Sequence, residues 1–167
     1  GKTFHWKVSN PTPWMSLVCA PYTRREYQHK NFKITTYLYD DRATKSDSLV
    51  SFVSPMLDFY GEQFGKYPFD EFKIVETDRR GGYGPPGMIL LNSFFTSLPD
   101  DTSRQISATL LLVHEIAHQW WGSSVVTNSS PFLNEALAQY SALLFLEHRG
   151  LSETPMLART FRSDLLG

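Results

Sequence analysis

Three residues near the middle of the chain, His114, Glu115 and His118, have the types and the spacing of a metal-dependent hydrolytic site. A helix turns about 100° per residue, so side chains four positions apart lie on nearly the same side and can bind one metal ion. Glu115 would lie close enough to accept a proton from a water molecule on that ion without being a ligand. The pattern therefore predicts two nitrogen ligands for zinc and a general base.

A second interpretation is a buried helix whose histidines only satisfy hydrogen bonds in the core. Burying two imidazoles and a carboxylate without partners is unfavourable, and a bound zinc ion would offset that unfavourable term. The zinc interpretation is therefore favoured.

The three residues lie in an apolar segment with the pattern of a helix. Apolar side chains recur there at spacings of three and four: Ile106, Leu110, Val113 and Ala117. Asp101, Thr102 and Ser103 are candidate N-caps. Gly122 is the expected end of the helix.

A catalytic zinc site needs three protein ligands and one open position, so a third ligand is expected beyond His118. Among the acidic residues that follow, only Glu135 falls near the start of the next helical segment. Ser130 can cap that helix, Pro131 suits its first position and Gly150 follows its last turn. An antiparallel helix pair joined by residues 122–130 would bring Glu135 over the two histidines.

These residues resemble the signature of a known family. His-Glu-Ile-Ala-His-Gln-Trp-Trp-Gly over residues 114–122, followed by Leu-Asn-Glu-Ala over residues 133–136, is similar to the zinc signature of the M1 family of gluzincin metallopeptidases, the aminopeptidase N-like group. The resemblance implies a thermolysin-like catalytic domain and one zinc ion held by His114, His118 and Glu135. It also implies hydrolysis of peptide bonds with Glu115 as the general base.

The chain departs from the family pattern in the length of one loop. Sixteen residues, from Gln119 to Asn134, separate the second histidine from Glu135, two fewer than in the family pattern. Shortening a surface loop is tolerated when both helices keep their register, so Glu135 remains the expected third ligand.

A second departure concerns substrate recognition. The family's Gly-Ala-Met-Glu-Asn motif, whose glutamate binds the free amino terminus of the substrate, is replaced here by Gly-Gly-Tyr-Gly-Pro-Pro-Gly-Met over residues 81–88. Gly84 stands at the glutamate position, so both exopeptidase and endopeptidase specificity stay open. Gly87 and Met88 are the expected substrate-binding residues, because residues 88–91 predict a short edge strand that could pair with an extended peptide. An ordinary Gly-Pro loop before a core strand is the alternative.

The third departure concerns the family's oxyanion-stabilising tyrosine. Its position would lie beyond Gly167. We therefore expect the chain to be a fragment, with the remainder of the parent polypeptide as a partner, and to be weakly active or inactive alone. Two other functions stay open: a non-catalytic, zinc-containing peptide-binding module, and a zinc hydrolase that acts on another substrate. The retained Glu115 argues against a binding module, since this residue is not a ligand.

Composition limits the other classes of function. A chain of 167 residues that is 41% hydrophobic can bury a core, and a net charge of -1 does not favour a nucleic acid partner. Cys19 is the only cysteine, so an internal disulfide and a cysteine zinc site are excluded. No apolar run approaches the roughly 20 residues of a transmembrane segment.

The remaining pattern predicts an α+β fold, with a small mixed sheet packed on the helices that carry the metal site. Residues 4–8 and 15–20 are expected as strands, and residues 1–20 as either a lead-in to the domain or the end of an upstream β domain. Residues 21–167 would form the N-terminal part of the catalytic domain. We expect a strand at 32–39, a helix at 46–64 that Pro55 kinks or splits, and a strand at 72–77. A last helix would begin near Ser152.

Overall fold

The computed structural model describes residues 14–93, 102–126 and 131–151, apart from the side chains of residues 102–107 and 131, together with residues 1, 3, 5, 11 and 12. Within these residues the chain forms one five-stranded sheet and three α-helices. The strands are β1 (Tyr22–His29), β2 (Phe32–Tyr39), β3 (Glu71–Thr77), β4 (Gly82–Tyr83) and β5 (Met88–Asn92). The helices are α1 (Ser46–Phe64), preceded by a 3-10 helix (Asp40–Lys45), α2 (Thr102–Ala117) and α3 (Pro131–His148).

The sheet is mixed, with the strand order β1-β2-β3-β5-β4. β1 and β2 form an antiparallel hairpin, β3 lies parallel to both β2 and β5, and the two-residue β4 pairs antiparallel with β5 at the edge. A parallel pair needs a long crossover connection, and α1 supplies it between β2 and β3. This architecture confirms the predicted α+β class.

One face of the sheet packs against the helices. Side chains on a strand alternate between its two faces, and every second residue of the central strands is fully buried there: Ile34, Ile74, Ile89 and Leu91. They share one apolar core with residues of α1 and α2, including Leu49, Val53, Met56, Tyr60, Leu112, Val113 and Ile116. α2 is therefore held by the sheet on one side and by its neighbouring helices on the others.

The strand at 32–39 and the helix at 46–64 have the predicted bounds, and β3 begins one residue earlier than predicted. Pro55 lies inside α1 and does not split it, so that part of the expectation is wrong, while the kink stays a prediction. An interior proline costs about 3 kcal/mol. The same helix buries six large apolar side chains, each worth about 1.5–3 kcal/mol. Burial therefore outweighs the lost hydrogen bond.

We call α2, which positions His114 and His118, the metal helix after the role predicted for it. This helix ends earlier than predicted, at Ala117 and not at Gly122. The N–H groups of Gln119 and Trp120 bond the carbonyls three residues earlier, at 3.0 Å each, so the last turn tightens before the positive φ of Gly122. The N–H of His118 still bonds the carbonyl of His114, at 3.3 Å. The two histidines therefore keep the four-residue spacing of the helix.

Two strand predictions are corrected. Residues 15–20 contain no strand, and β5 lies between β3 and β4, so the edge strand is β4. Residues 152–165, where a last helix was expected, lie outside the described residues, as do residues 4–8 apart from His5.

In the described part of the chain, no helix combines the length and the apolar character needed to cross a bilayer.

Candidate metal centre

Two helices bring three potential metal ligands together. The Nε2 atoms of His114 and His118 lie 3.1 Å apart. One carboxylate oxygen of Glu135 lies 3.3 Å from the first nitrogen and 3.5 Å from the second. Among the described residues, these three form the group of histidine and acidic side chains that could hold a metal ion.

The ring of His118 is oriented by the backbone of the turn that follows it. Its Nδ1 lies 3.1 Å from the carbonyl oxygen of Trp121. A carbonyl can only accept a hydrogen bond, so Nδ1 carries the proton, and in the neutral ring Nε2 keeps its lone pair. That lone pair faces His114 and Glu135, as a metal ligand requires.

The electrostatics of His114 also favour a neutral ring. Burial and the positive charge of His118 lower the pKa of His114, while the negative charge of Glu135 acts in the opposite direction. The lowered pKa keeps the imidazole neutral at pH 7, and a neutral imidazole is the form that binds a metal.

Contacts between α3 and the turn that follows α2 set the position of Glu135. The indole Nε1 of Trp121 donates to the hydroxyl of Ser141 on α3 at 2.9 Å, and that hydroxyl donates to the carbonyl of Leu137 at 2.7 Å. Gly122 has a φ of 97°, and a Cβ there would lie 3.4 Å from the side-chain nitrogen of Asn134, the residue before Glu135. The close approach holds the start of α3 against the end of the metal helix despite the short loop.

Glu115 is buried beside this group, with 7% of its surface exposed. Burial, followed by the charge of Glu135, raises the pKa of the Glu115 carboxyl to about 7, and a hydrogen bond from the N–H of Gly84 opposes the shift. A cation among the three grouped side chains would lower this pKa again. Glu115 is thus a carboxylate with a fixed hydrogen-bond donor next to a possible metal site.

Two glycines lie directly against Glu115. A Cβ on Gly82 would lie 2.8 Å from the Cγ of Glu115. A Cβ on Gly84 would overlap the carbonyl oxygen of Glu115 and lie 3.0 Å from the Cβ of His118. The segment therefore approaches the helix as closely as backbone allows, and the absence of side chains at these positions is a packing requirement.

A buried glutamine that sequence reasoning missed connects the same segment to the metal helix. The Oε1 atom of Gln119 accepts a 2.8 Å hydrogen bond from the N–H of Gly87, and Nε2 donates to the carbonyls of Pro85 and Met88 at 3.1 Å each. The sequence places Gln119 next to His118, and only the fold shows which segment it faces.

The two predicted substrate-binding residues lie in this turn. Gly87 is buried, and its N–H and carbonyl bond Gln119 and the N–H of Lys73. Met88 is partly buried and bonds Pro85 and Gln119 through its backbone. These backbone groups are engaged within the protein, and a contact of either residue with substrate stays a prediction.

Other polar features lie apart from the grouped ligands. A cavity of about 320 Å³ beside β4 is lined by Thr77, Arg79, Arg80, Gly81, Gly82, Tyr83 and Leu90. His29 bonds the carboxylate of Asp58 at 2.8 Å, and the ring of His148 packs on Phe59 with their centroids 4.9 Å apart. Neither histidine belongs to the possible metal group.

The chain is similar in sequence to known proteins. Residues 50–164 match the family described as "Peptidase family M1 domain". The chain is also 28% identical over 122 residues to endoplasmic reticulum aminopeptidase 2 of Bos taurus. The aligned part covers 68% of this chain and 13% of that relative, so the chain spans about an eighth of the relative's length.

Proposed function

This chain belongs to peptidase family M1, and we propose that it carries the zinc site and the general base of a metallopeptidase. The observation that carries the proposal is the convergence of the His114, His118 and Glu135 ligand atoms within 3.1–3.5 Å of one another. Because the chain spans only part of its relative, the substrate and the activity of the whole protein belong to the proposal.

The distances between the ligand atoms support zinc. Zinc bonds to histidine nitrogen and carboxylate oxygen are about 2.1 Å long, so in a tetrahedral site the ligand atoms lie about 3.4 Å apart. The separations of 3.1, 3.3 and 3.5 Å bracket this value. Three ligands would leave a fourth position open, as a catalytic site requires.

Zinc bound at these residues would supply a Lewis acid that activates water and polarises the scissile carbonyl. Glu115 accepts one proton from the attacking water on its carboxylate. It then delivers that proton to the nitrogen of the leaving amine, so that a peptide and one water become a carboxylic acid and an amine. Gly82 and Gly84 pack against Glu115, and burial excludes competing solvent.

We infer that the site does not bind the amino terminus of its substrate through the carboxylate that the family uses. Gly84 stands at that position, and its packing on the metal helix leaves no space for a side chain. Under this proposal, the protein cleaves peptides without binding their free amino group at residue 84. Initial rates on a fluorogenic peptide with a free and with an acetylated amino terminus measure this property: equal rates indicate endopeptidase activity.

Glu115→Gln tests the proposed mechanism in the full-length protein. The amide cannot accept the proton, so we expect one zinc per chain and a loss of peptide hydrolysis of about 1,000-fold or more. Glu62→Gln changes an exposed glutamate on α1 and should leave both unchanged. Normal hydrolysis by Glu115→Gln would show that another residue is the base.

The second candidate is a zinc-containing peptide-binding module without catalysis, and Gly84 is the observation that favours it. A full-length protein that binds one zinc ion and an extended peptide without cleaving either peptide would support this candidate. The retained, buried Glu115 carboxylate favours the enzyme.

A further inference from the structure

The side-chain amide of Gln119 uses both its N–H groups and its oxygen on one short segment. Its partners are the N–H of Gly87 at 2.8 Å and the carbonyls of Pro85 and Met88 at 3.1 Å. Gln119 is fully buried, so no water competes for these bonds. Unmade buried hydrogen bonds are strongly unfavourable, and the match of three groups to one amide is therefore specific.

Residues 85–88 form a tight turn that is fixed at two further points. The N–H of Met88 bonds the carbonyl of Pro85 at 3.1 Å, and Gly87 has the positive φ of 74° that such a turn needs at its third position. The carbonyl of Gly87 accepts a 3.0 Å bond from the N–H of Lys73 on β3. β3 thus anchors one side of the turn, and Gln119 anchors it to the end of the metal helix.

The residue before this turn contacts the proposed base. The α-carbon of Gly84 lies against the backbone of Glu115, where a Cβ would overlap the Glu115 carbonyl oxygen. Gln119 follows Glu115 by four residues and lies in the tightened turn after α2. Each contacts one part of the continuous segment 84–88.

We propose that Gln119 is a positioning residue that, by holding residues 85–88 on the metal helix, keeps Gly84 packed against Glu115. This inference rests on the proposed function, because Glu115 needs a fixed orientation only if it acts as the base. The hydrogen bonds described for the Gln119 side chain all go to backbone groups of the turn, so Gln119 acts through that backbone.

The chemistry of the pocket specifies glutamine. Glutamate at position 119 keeps an acceptor for the Gly87 N–H but turns a second oxygen toward the carbonyls of Pro85 and Met88, which repel it. Methionine has a similar size but offers no hydrogen-bonding group to the Gly87 N–H or to the carbonyls of Pro85 and Met88. The two variants therefore break the same contacts in different ways, and a shared effect identifies the amide as the cause.

The test compares Gln119→Glu and Gln119→Met with wild-type full-length protein, and Gln63→Met, an exposed glutamine on α1, is the control. We expect unchanged zinc content, KM within about threefold of wild type, and kcat per bound zinc lowered about 10- to 100-fold, as for the loss of residues that orient catalytic groups. Amide hydrogen exchange at Gly84 and Gly87 should accelerate about tenfold or more, while β2 and β3 stay protected. The control should match wild type throughout.

Exchange and kinetics together decide the proposal. If Gly87 exchanges faster but Gly84 stays protected, or if kcat per bound zinc is unchanged, Gln119 holds the turn without positioning Glu115 and the proposal is wrong. Loss of zinc in both variants would also overturn it, since the effect would then lie on the ligands. If wild-type protein binds zinc and cleaves nothing, the proposed function fails, and protection of the Gly84 amide still tests the positioning.

Discussion

Gly84 lies against the backbone of Glu115 so closely that a Cβ on Gly84 would overlap the Glu115 carbonyl oxygen. The segment that in the family pattern carries a substrate-binding glutamate is here packed onto the helix that carries the proposed base. Residue 84 therefore affects the stability of the protein and, within the proposed function, the binding of the substrate's amino terminus.

The first prediction concerns that contact. Gly84→Ala and Gly84→Glu should each lower the free energy of unfolding by about 1–3 kcal/mol, because the added atoms force the segment away from α2. Gly84→Glu should not create a preference for peptides with a free amino terminus. The measurements are denaturant unfolding and the ratio of kcat/KM values for free and acetylated peptides.

Gly61→Ala is the matched control, because nothing lies within 4 Å of a Cβ at this helical position. Alanine there should leave stability unchanged or raise it by up to about 1 kcal/mol. A stable Gly84→Glu protein that acquires a preference for free amino termini would show that the segment has space for the side chain.

The second prediction concerns the histidine ligands. His118→Ala removes one of the two facing nitrogens, so purified full-length protein should fall from about one bound zinc per chain to nearly none. His5→Ala changes an exposed histidine and should keep the metal. Atomic absorption of dialysed protein gives the stoichiometry, and full zinc retention by His118→Ala would remove this residue from the ligand set.

The third prediction tests the ligand contributed by α3. Loss of a residue that merely orients a metal ligand weakens binding about 10- to 100-fold, so Glu135→Gln should weaken zinc binding by more than about 100-fold. Glu147→Gln, an exposed change on the same helix, should have no effect. Competition with a chelator measures both affinities. Equal affinities for the two variants would mean that the third ligand lies elsewhere.

The fourth prediction concerns pH and the hairpin. Asp58 of α1 bonds His29 at 2.8 Å and Lys30 at 2.7 Å. Burial acts against ionisation, but the bonds from Lys30 and His29 outweigh it and lower the pKa of Asp58. A lowered pKa means that the stabilisation is complete above the ordinary aspartate value of about 3.9 and is lost as pH falls through the lower folded value.

Asp58→Asn should therefore destabilise the protein by about 1 kcal/mol at pH 7, and the difference from wild type should shrink toward zero below about pH 3. Urea unfolding across this range measures the effect. Asp70→Asn, at an exposed aspartate, should show no such dependence. A difference that stays constant down to pH 2 would contradict the assigned ion pair.

Much of the fold could be predicted because local patterns decide it. The alternation at 32–39 and the helical spacing at 46–64 predict β2 and α1 with their observed bounds, since these segments bury one continuous apolar face. The errors fall where tertiary contacts compete with local preference. Burial keeps α1 intact at Pro55, and a tightened turn ends α2 at Ala117 although Gly122 is the stronger local signal.

The position of Met88 illustrates a second kind of error. Its strand was expected at an edge, but two residues of a glycine-rich segment, Gly82 and Tyr83, pair with its outer side. Glycine has little strand propensity, so no local signal predicts that pairing. The neighbouring strands supply it.

The side chains that could do chemistry follow from the sequence alone: the spacing of His114, Glu115 and His118 matches the pitch of one helix, which depends only on local hydrogen bonds. Their arrangement depends on the tertiary structure. It brings the carboxylate of Glu135 to within 3.3 Å of His114, and it packs residues 84–88 against Glu115 and Gln119. Such contacts join residues far apart in sequence, and their distances depend on how whole helices and strands pack.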